Sequence, residues 1–246
     1  MTILVTRPSP AGEELVSRLR ALGQVAYSFP LIEFSPGRQL EQLSERLAAL
    51  SPGDLVFVLS QHVVHYAQPV MQRNRIKWRE NLSWFAIGRT TALALHTVSH
   101  LPVRYPLDRE TSEVLLQLPQ LQNVAGKRAL ILRGNGGREL IGNNLASRGV
   151  KVEFCECYQR CAKIYDGTEE AFRWRDRGIN TLVVTSGEML HQLYTLIPEW
   201  YRTDWLLHCR LVVVSERLAI VARDLGWQDI RVADNADNDA LLRALQ

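Results

Sequence analysis

The sequence contains the stretch Leu130-Ile131-Leu132-Arg133-Gly134-Asn135-Gly136-Gly137-Arg138-Glu139-Leu140, which reads as a buried strand, a glycine-rich loop and the start of a helix. The apolar run predicts a strand over Ala129–Leu132, and the pattern after the loop predicts a helix over Arg138–Ser147. Similar apolar runs alternate with helical patterns along the whole chain. This alternation is typical of α/β proteins with parallel sheets.

The same patterns predict further strands and helices. The other strands are predicted at Ile3–Thr6, Leu55–Leu59, Phe85–Ile87, Leu182–Val184 and Leu211–Val214, with weaker signals at Val103–Tyr105 and Ile230–Val232. Further helices are predicted at Gly12–Leu22, Leu40–Leu50, Val63–Gln72, Leu190–Leu196, Leu218–Leu225 and Asp239–Leu245.

The second half of the chain repeats the first at a nearly constant offset of 125–127 residues. The strand at Leu55-Val56-Phe57 falls on Leu182-Val183-Val184, and Phe85-Ala86-Ile87-Gly88 falls on Val212-Val213-Val214-Ser215. Any two α/β stretches align loosely, but the steady order over six elements favours an internal duplication. We therefore predict two similar parallel-sheet domains.

Two extended segments occupy equivalent places in the two halves, at Phe29–Phe34 and Val152–Gln159. Pro30 has no N–H group, so it is excluded from a central strand. The two segments predict a two-stranded β-ladder that links the domains, with a cleft between them. The predicted bounds are 1–28 plus 163–246 for domain 1, 37–150 for domain 2, and 29–36 and 151–162 for the linker strands.

Composition excludes several classes of protein. The 246 residues are 46% apolar and 22% charged, which is ordinary for a globular protein. No apolar run reaches the roughly 18–20 residues that a membrane helix needs, and no signal peptide is recognisable. We therefore expect a cytoplasmic protein. The net charge is only +3 and the arginines are scattered, so we expect no nucleic-acid partner.

The cysteines do not form a metal-binding pattern. Cys155, Cys157, Cys161 and Cys209 contain no C-x-x-C spacing, and no histidine lies within ten residues of the first three. In a reducing cytoplasm they should be buried or half-buried thiols. We predict no metal site.

Small polar residues follow many of the predicted strands, where open α/β sheets bind their ligands. Helix N-termini at such loops favour carboxylates or phosphates. Each loop taken alone is equally well explained by ordinary helix capping, as at Ser60, Ser186 and Ser215. Several such loops on two domains fit, as the alternative to ordinary capping, a site for a ligand with several anionic groups.

The sequence contains no recognisable nucleotide-binding loop and no recognisable group of catalytic residues. The loop Gly134–Gly137 matches neither G-x-G-x-x-G nor a P-loop. None of the six histidines has metal-binding spacing, and there is no nucleophile elbow. This favours either an enzyme that orients a reactive substrate or a pure binding protein.

Several short motifs, in this order, resemble a known family along essentially the whole chain. They are Leu4-Val5-Thr6-Arg7-Pro8, Ala86-Ile87-Gly88 with Thr90-Thr91-Ala92, Tyr105-Pro106 with Ser112-Glu113, the stretch Leu130–Leu140, Tyr158, and Val184-Thr185-Ser186-Gly187. Together they resemble the uroporphyrinogen-III synthases, most of all the enteric-bacterial type. One departure is His62, because the loop Ser60-Gln61-His62 often reads Ser-x-Asn in this family.

The resemblance implies two α/β domains joined by a β-ladder and a lyase that needs no cofactor. Its substrate would be hydroxymethylbilane, cyclised to uroporphyrinogen III with inversion of ring D and release of water. The product would serve heme, siroheme and cobalamin synthesis. We expect a monomer with no membrane partner.

The resemblance also implies roles for particular residues. Tyr158 is the candidate acid that assists departure of water, with hinge packing as the alternative. Residues that would bind the substrate carboxylates are Thr6, Arg7, Ser60, Thr90, Thr91, Arg133, Arg138, Thr185, Ser186 and Ser215. Two rival functions remain: a two-domain sensor that binds small anions without catalysis, and a glycosyltransferase, which would need a clear nucleotide-sugar site.

Overall fold

The computed structural model of the chain describes residues 1–246. The chain divides into two compact units. Unit 1 consists of Met1–Glu33 and Cys161–Gln246, and unit 2 consists of Phe34–Arg160. Unit 1 is therefore discontinuous in sequence.

Strands and helices alternate along the chain. The strands are β1 (Thr2–Val5), β2 (Val25–Ser28), β3 (Ile32–Pro36), β4 (Leu55–Val58), β5 (Ser83–Ala86), β6 (Arg128–Arg133), β7 (Lys151–Glu156), β8 (Tyr158–Ala162), β9 (Thr181–Val183), β10 (Arg210–Val213) and β11 (Ile230–Val232). The α-helices are α1 (Ala11–Ala21), α2 (Leu43–Ala48), α3 (Gln61–Arg73), α4 (Arg89–Ser99), α5 (Ser112–Leu115), α6 (Leu140–Ser147), α7 (Gly167–Asp176), α8 (Gly187–Leu196), α9 (Glu199–Asp204), α10 (Glu216–Leu225) and α11 (Asn238–Ala244).

The two units contain parallel sheets with the same arrangement. The strand order is β11-β10-β9-β1-β2 in unit 1 and β5-β4-β6-β7 in unit 2. Superposing the orders pairs β9 with β4, β10 with β5, β1 with β6 and β2 with β7. The sequence offset predicts three of these pairs, β9 with β4, β10 with β5 and β1 with β6, and the prediction of two similar parallel-sheet units is confirmed.

Both sheets are covered on their two faces. Val56 and Val58 of β4 belong to one hydrophobic cluster, while Leu55 and Phe57 belong to another. Successive side chains of a strand point to opposite faces, so all four residues are buried. A strand buried on both faces reads as a continuous apolar run, which is why the sequence identified it.

A third sheet consists of β3 and β8 alone. The chain passes from one unit to the other within these two strands. The segment before β3 belongs to the core of unit 1, because Phe29 and Leu31 are buried there. The predicted cleft between the domains stays a prediction.

Two local predictions need correction, and one strand was missed. Residues 151–156, assigned to the linker, form β7, which pairs with β6 through six residues. The strand β2 was not predicted, because Val25–Ser28 has only one fully buried residue and no clear alternation. The weak strand at Val103–Tyr105 is a single bridge between Arg104 and Phe85, at the place where unit 1 has β11.

The helices are all short. None combines the length and the apolar character that are needed to cross a membrane.

Candidate functional site

The predicted binding residues lie at the carboxyl edges of the two sheets. In a parallel sheet the loops after all strands share one edge. Unit 2 carries five of them at this edge: Ser60, Thr90, Thr91, Arg133 and Arg138. Unit 1 carries the other five: Thr6, Arg7, Thr185, Ser186 and Ser215. The structure therefore brings them together as one group in each unit.

The three serines are N-caps. The hydroxyl of Ser60 accepts a hydrogen bond from His62 N at 3.1 Å, at the start of α3. Ser186 accepts from Met189 N and Ser215 from Leu218 N, each at 3.2 Å. A hydroxyl that accepts in this way keeps its own O–H for donation. Each serine can therefore cap its helix and still donate a hydrogen bond to an anion.

The threonines differ in accessibility. Thr6 is fully buried, and its hydroxyl donates to Val183 O at 2.6 Å, so it holds β1 against β9. Thr91 is also buried in the first turn of α4, whereas its neighbour Thr90 is exposed. Thr185 is half-buried after β9. Within its unit, Thr6 is thus placed to stabilise the sheet rather than to meet a ligand.

The two arginines of unit 2 have different surroundings. Arg133 Nη1 donates to Glu139 at 2.9 Å, and its guanidinium lies 3.9 Å from the centre of the Phe154 ring. Only 15% of this side chain is exposed. Arg138 pairs with Glu113 at the surface, and their hydrogen bond lowers the pKa of the Glu113 carboxyl. Exposed pairs of this kind exchange readily, so Arg138 is the better placed of the two to bind an incoming carboxylate.

Arg7 in unit 1 is held by the start of α11. Its Nη1 donates to Asn238 Oδ1 at 2.6 Å, and the Asn238 amide donates in turn to Ala11 O at 3.0 Å. Burial lowers the pKa of the Arg7 guanidinium, and the charges of Asp237 and Glu14 oppose this shift. A partly desolvated cation binds an anion more strongly than a fully solvated one.

Tyr158 lies beside the glycine-rich loop that follows β6. It is the first residue of β8 and lines a pocket of about 340 Å³ together with Gly134, Asn135, Gly136, Gly137 and Arg160. The ring is only half-buried. A phenol in this position can donate its proton to a molecule in the pocket.

Three further rings surround Tyr158. The imidazole of His62 stacks on Phe34 with the ring centres 4.1 Å apart, and it lies 5.4 Å from the Tyr158 ring. Tyr66 lies nearly parallel to Tyr158 at 6.4 Å. Burial lowers the pKa of His62, and the nearby charges of His65 and Arg160 lower it further. These surroundings therefore favour the neutral imidazole of His62 in this aromatic cluster.

Sequence reasoning missed Phe34 and Tyr66 as neighbours of Tyr158. Phe34 is in β3, and Tyr66 is one helical turn after His62 on α3. The spacing of His62 and Tyr66 places them on one helix face, which was an available signal. The contact of both with Tyr158 depends on strand pairing and could not be read from spacing.

The cysteines are thiols, as predicted. Cys155, Cys157 and Cys209 are buried and Cys161 is half-buried. Burial raises the pKa of the Cys209 thiol to about 12. No three His, Cys, Asp or Glu side chains lie close enough together to hold a metal ion.

These features place the chain in the class of duplicated α/β proteins with polar loops at the strand ends. The chain has two duplicated α/β units, each with hydroxyl groups and arginines at the carboxyl edge of a parallel sheet. Such an arrangement suits a ligand that carries several carboxylates.

Comparison with known proteins identifies the family. The family model described as uroporphyrinogen-III synthase HemD matches residues 13–243. The uroporphyrinogen-III synthases of Salmonella typhimurium (strain LT2) and Escherichia coli (strain K12) are each 72% identical over 246 residues, with 100% of both chains covered. The chain belongs to the uroporphyrinogen-III synthase family, whose members are lyases.

A solved structure supports the fold. A mutant uroporphyrinogen III synthase from the extremely thermophilic bacterium Thermus thermophilus superposes with a TM-score of 0.66 at 18% identity, covering 100% of this chain and 99% of the other. At this identity the likeness establishes the fold alone.

Proposed function

We propose that this chain is a cytoplasmic, monomeric lyase that cyclises hydroxymethylbilane to uroporphyrinogen III, inverting ring D and releasing one water. The observation that carries the proposal is the 72% identity with two uroporphyrinogen-III synthases over the full length of the chain. Family membership favours this enzyme over a sensor that binds anions without reacting.

The reaction begins with departure of the terminal hydroxyl group. Tyr158 donates its phenolic proton as that group leaves as water, and an azafulvene cation remains on ring A. The substituted carbon of ring D attacks this cation to form a spiro intermediate, which reopens and recloses with ring D inverted. Loss of a proton from the closing pyrrole restores the aromatic ring, and Tyr158 recovers its proton. The position of Tyr158 beside an open pocket supports this role.

The substrate carboxylates bind at the strand ends. The O–H groups of Ser60, Ser186 and Ser215 are free to donate while their oxygens cap helices. Arg138 leaves its ion pair with Glu113 and forms an ion pair with a substrate carboxylate instead. The number of ion pairs therefore stays the same. Binding energy spread over many such contacts holds a self-reactive substrate in one conformation.

The test is turnover of freshly prepared hydroxymethylbilane by protein dialysed against a chelator, with nothing added. Tyr158→Phe should lower kcat by about a hundredfold, because it removes a proton donor, and should release more of the uninverted isomer. Tyr165→Phe is the matched control, since the Tyr165 hydroxyl donates to Pro30 O at 2.7 Å and serves the structure of unit 1.

Three results would each refute a different part of the proposal. Formation of only the uninverted isomer by the parent protein would refute the proposed reaction. Parental kcat in Tyr158→Phe would refute Tyr158 as the acid. Turnover that returns only after a metal or nucleotide is added would refute the cofactor-free mechanism.

A further inference from the structure

Gly134 lies directly against the ring of Tyr158. A Cβ atom built at Gly134 would be 2.6 Å from Tyr158 Cζ and 3.0 Å from its hydroxyl oxygen. Real Cβ atoms do not approach other atoms as closely as 2.6 Å, so any other residue would displace the ring. The glycine thus allows the phenol to occupy its present place.

The neighbouring Asn135 ties the glycine-rich loop to the strand that carries Tyr158. The backbone N–H of Arg160 donates to Asn135 Oδ1 at 2.8 Å, and Asn135 Nδ2 donates to Arg160 O at 3.4 Å. The side chain therefore makes two hydrogen bonds to the backbone two residues beyond Tyr158. The loop and the start of β8 are held in one register by these bonds.

The other neighbours of Tyr158 are aromatic. His62 is held by its stack on Phe34, with an angle of 19° between the rings, and the centres of these two rings lie 5.4 Å and 6.0 Å from that of Tyr158. Tyr66 follows one turn later on α3 and lies 6.4 Å from Tyr158, at an angle of 14°. Ring packing of this kind restricts the rotation of a side chain that is only half-buried.

We propose that Gly134, Asn135 and His62 are positioning residues that fix the Tyr158 hydroxyl toward the pocket at the glycine-rich loop. The inference rests on the proposed function of Tyr158 as the proton donor. A proton donor must lie within hydrogen-bond reach of the departing group, and a misplacement of about 1 Å can cost about a hundredfold in rate. Gly134 leaves space for the Tyr158 ring, and Asn135 holds the glycine-rich loop in register with β8. His62 packs against the ring of Tyr158.

The central test is a double-mutant cycle between Gly134→Ala and Tyr158→Phe, read as kcat, KM and the ratio of inverted to uninverted product. Gly134→Ala alone should lower kcat by about ten- to a hundredfold with KM within about threefold. In the Tyr158→Phe background it should cost less than about threefold further, because the hydroxyl is already absent. Gly142→Ala is the matched control, since a Cβ there would lie equally close, 2.6 Å, to the Cζ of another ring, Phe154, and its kcat and product ratio should stay far closer to the parent.

The outcomes separate this inference from the proposed function. Losses that multiply in the double variant, or a rise in KM alone, would overturn positioning while leaving Tyr158 as the acid. Parental kcat in Tyr158→Phe would remove the acid and the positioning role together. Equal losses of kcat in Gly134→Ala and Gly142→Ala would show that the loss does not depend on Tyr158, and would overturn the positioning role.

A second set of variants covers the case in which Gly134→Ala does not fold, judged by circular dichroism. Asn135→Ala removes the two bonds to Arg160 without adding volume and should lower kcat about tenfold. His62→Phe keeps the stack on Phe34 and should retain more activity than His62→Ala. If His62→Ala and Asn135→Ala fold and retain parental kcat and product ratio, the proposal is wrong.

Discussion

The loops after β1 and β6 occupy equivalent places in the two units and are built in opposite ways. After β1, unit 1 has Thr6-Arg7-Pro8-Ser9-Pro10, and Gly12 then packs against the carbonyl of Arg7. After β6, unit 2 has Gly134–Gly137, which lines a pocket. Proline restricts the backbone and glycine frees it. The same scaffold therefore carries a proline-containing loop in one copy and a glycine-rich loop in the other.

The helices α10 and α4 show a second difference. α10 begins at Ser215, whose own hydroxyl caps it. α4 begins at Gly88, which has no side chain, and Arg89 N donates instead to Glu110 at 2.8 Å. The Glu110 carboxyl also fills the space where a Gly88 Cβ would lie. Equivalent helix starts thus present a hydroxyl in unit 1 and a carboxylate in unit 2, which favours unit 1 for binding anions at this position.

The largest effect should come from adding a methyl group at Gly12, where α1 packs against the proline-containing loop. A Cβ at Gly12 would be 2.2 Å from the Arg7 carbonyl oxygen, so Gly12→Ala forces the backbone to move. We expect a loss of about 3 kcal/mol in the free energy of unfolding, measured in urea. Gly136→Ala in the glycine-rich loop should change it by less than about 1 kcal/mol, because a Cβ there meets no atom within 4 Å. Similar losses in both variants would remove the contrast between the loops.

A smaller effect should come from the cap of α10. Ser215→Ala should cost about 1 kcal/mol of stability, because Leu218 N loses its partner. Ser215→Asp keeps a capping acceptor and should retain the stability, but its charge should repel the substrate and raise KM. An unchanged KM in the folded Ser215→Asp variant would mean that this hydroxyl does not contact a carboxylate.

The smallest effect on stability should come from Arg138→Ala. Its pair with Glu113 is exposed on both sides, so the melting temperature should change by less than about 2 °C. The variant should nevertheless raise KM about tenfold, because a charge-assisted hydrogen bond to the substrate is lost. Arg73→Ala is the control, since it breaks the equally exposed pair with Glu41 away from the strand ends. A parental KM in Arg138→Ala would contradict the proposed binding role.

The central strands could be predicted because burial on both faces requires a continuous run of apolar residues, and such a run is visible in the sequence. Leu55–Val58 is apolar at every position, as a strand covered on both faces must be. The edge strands β2 and β7 could not be predicted in the same way. Only one residue is buried in β2 and one in β7, and such strands lack a local pattern. Their membership of the sheets depends on pairing with β1 and β6.

The amino-acid sequence by itself determined the α/β class, the duplication and the serine caps, because these follow from apolar runs, a repeat offset and residues next to helix starts. Only the tertiary structure decided what each polar side chain meets. Thr6 reads as an accessible hydroxyl at the end of a predicted strand, yet the β1–β9 register buries it against Val183. Tyr158 meets Gly134 and His62 because three elements far apart in sequence converge at one sheet edge. Contacts of this kind depend on strand order and register, which no local pattern of residues contains.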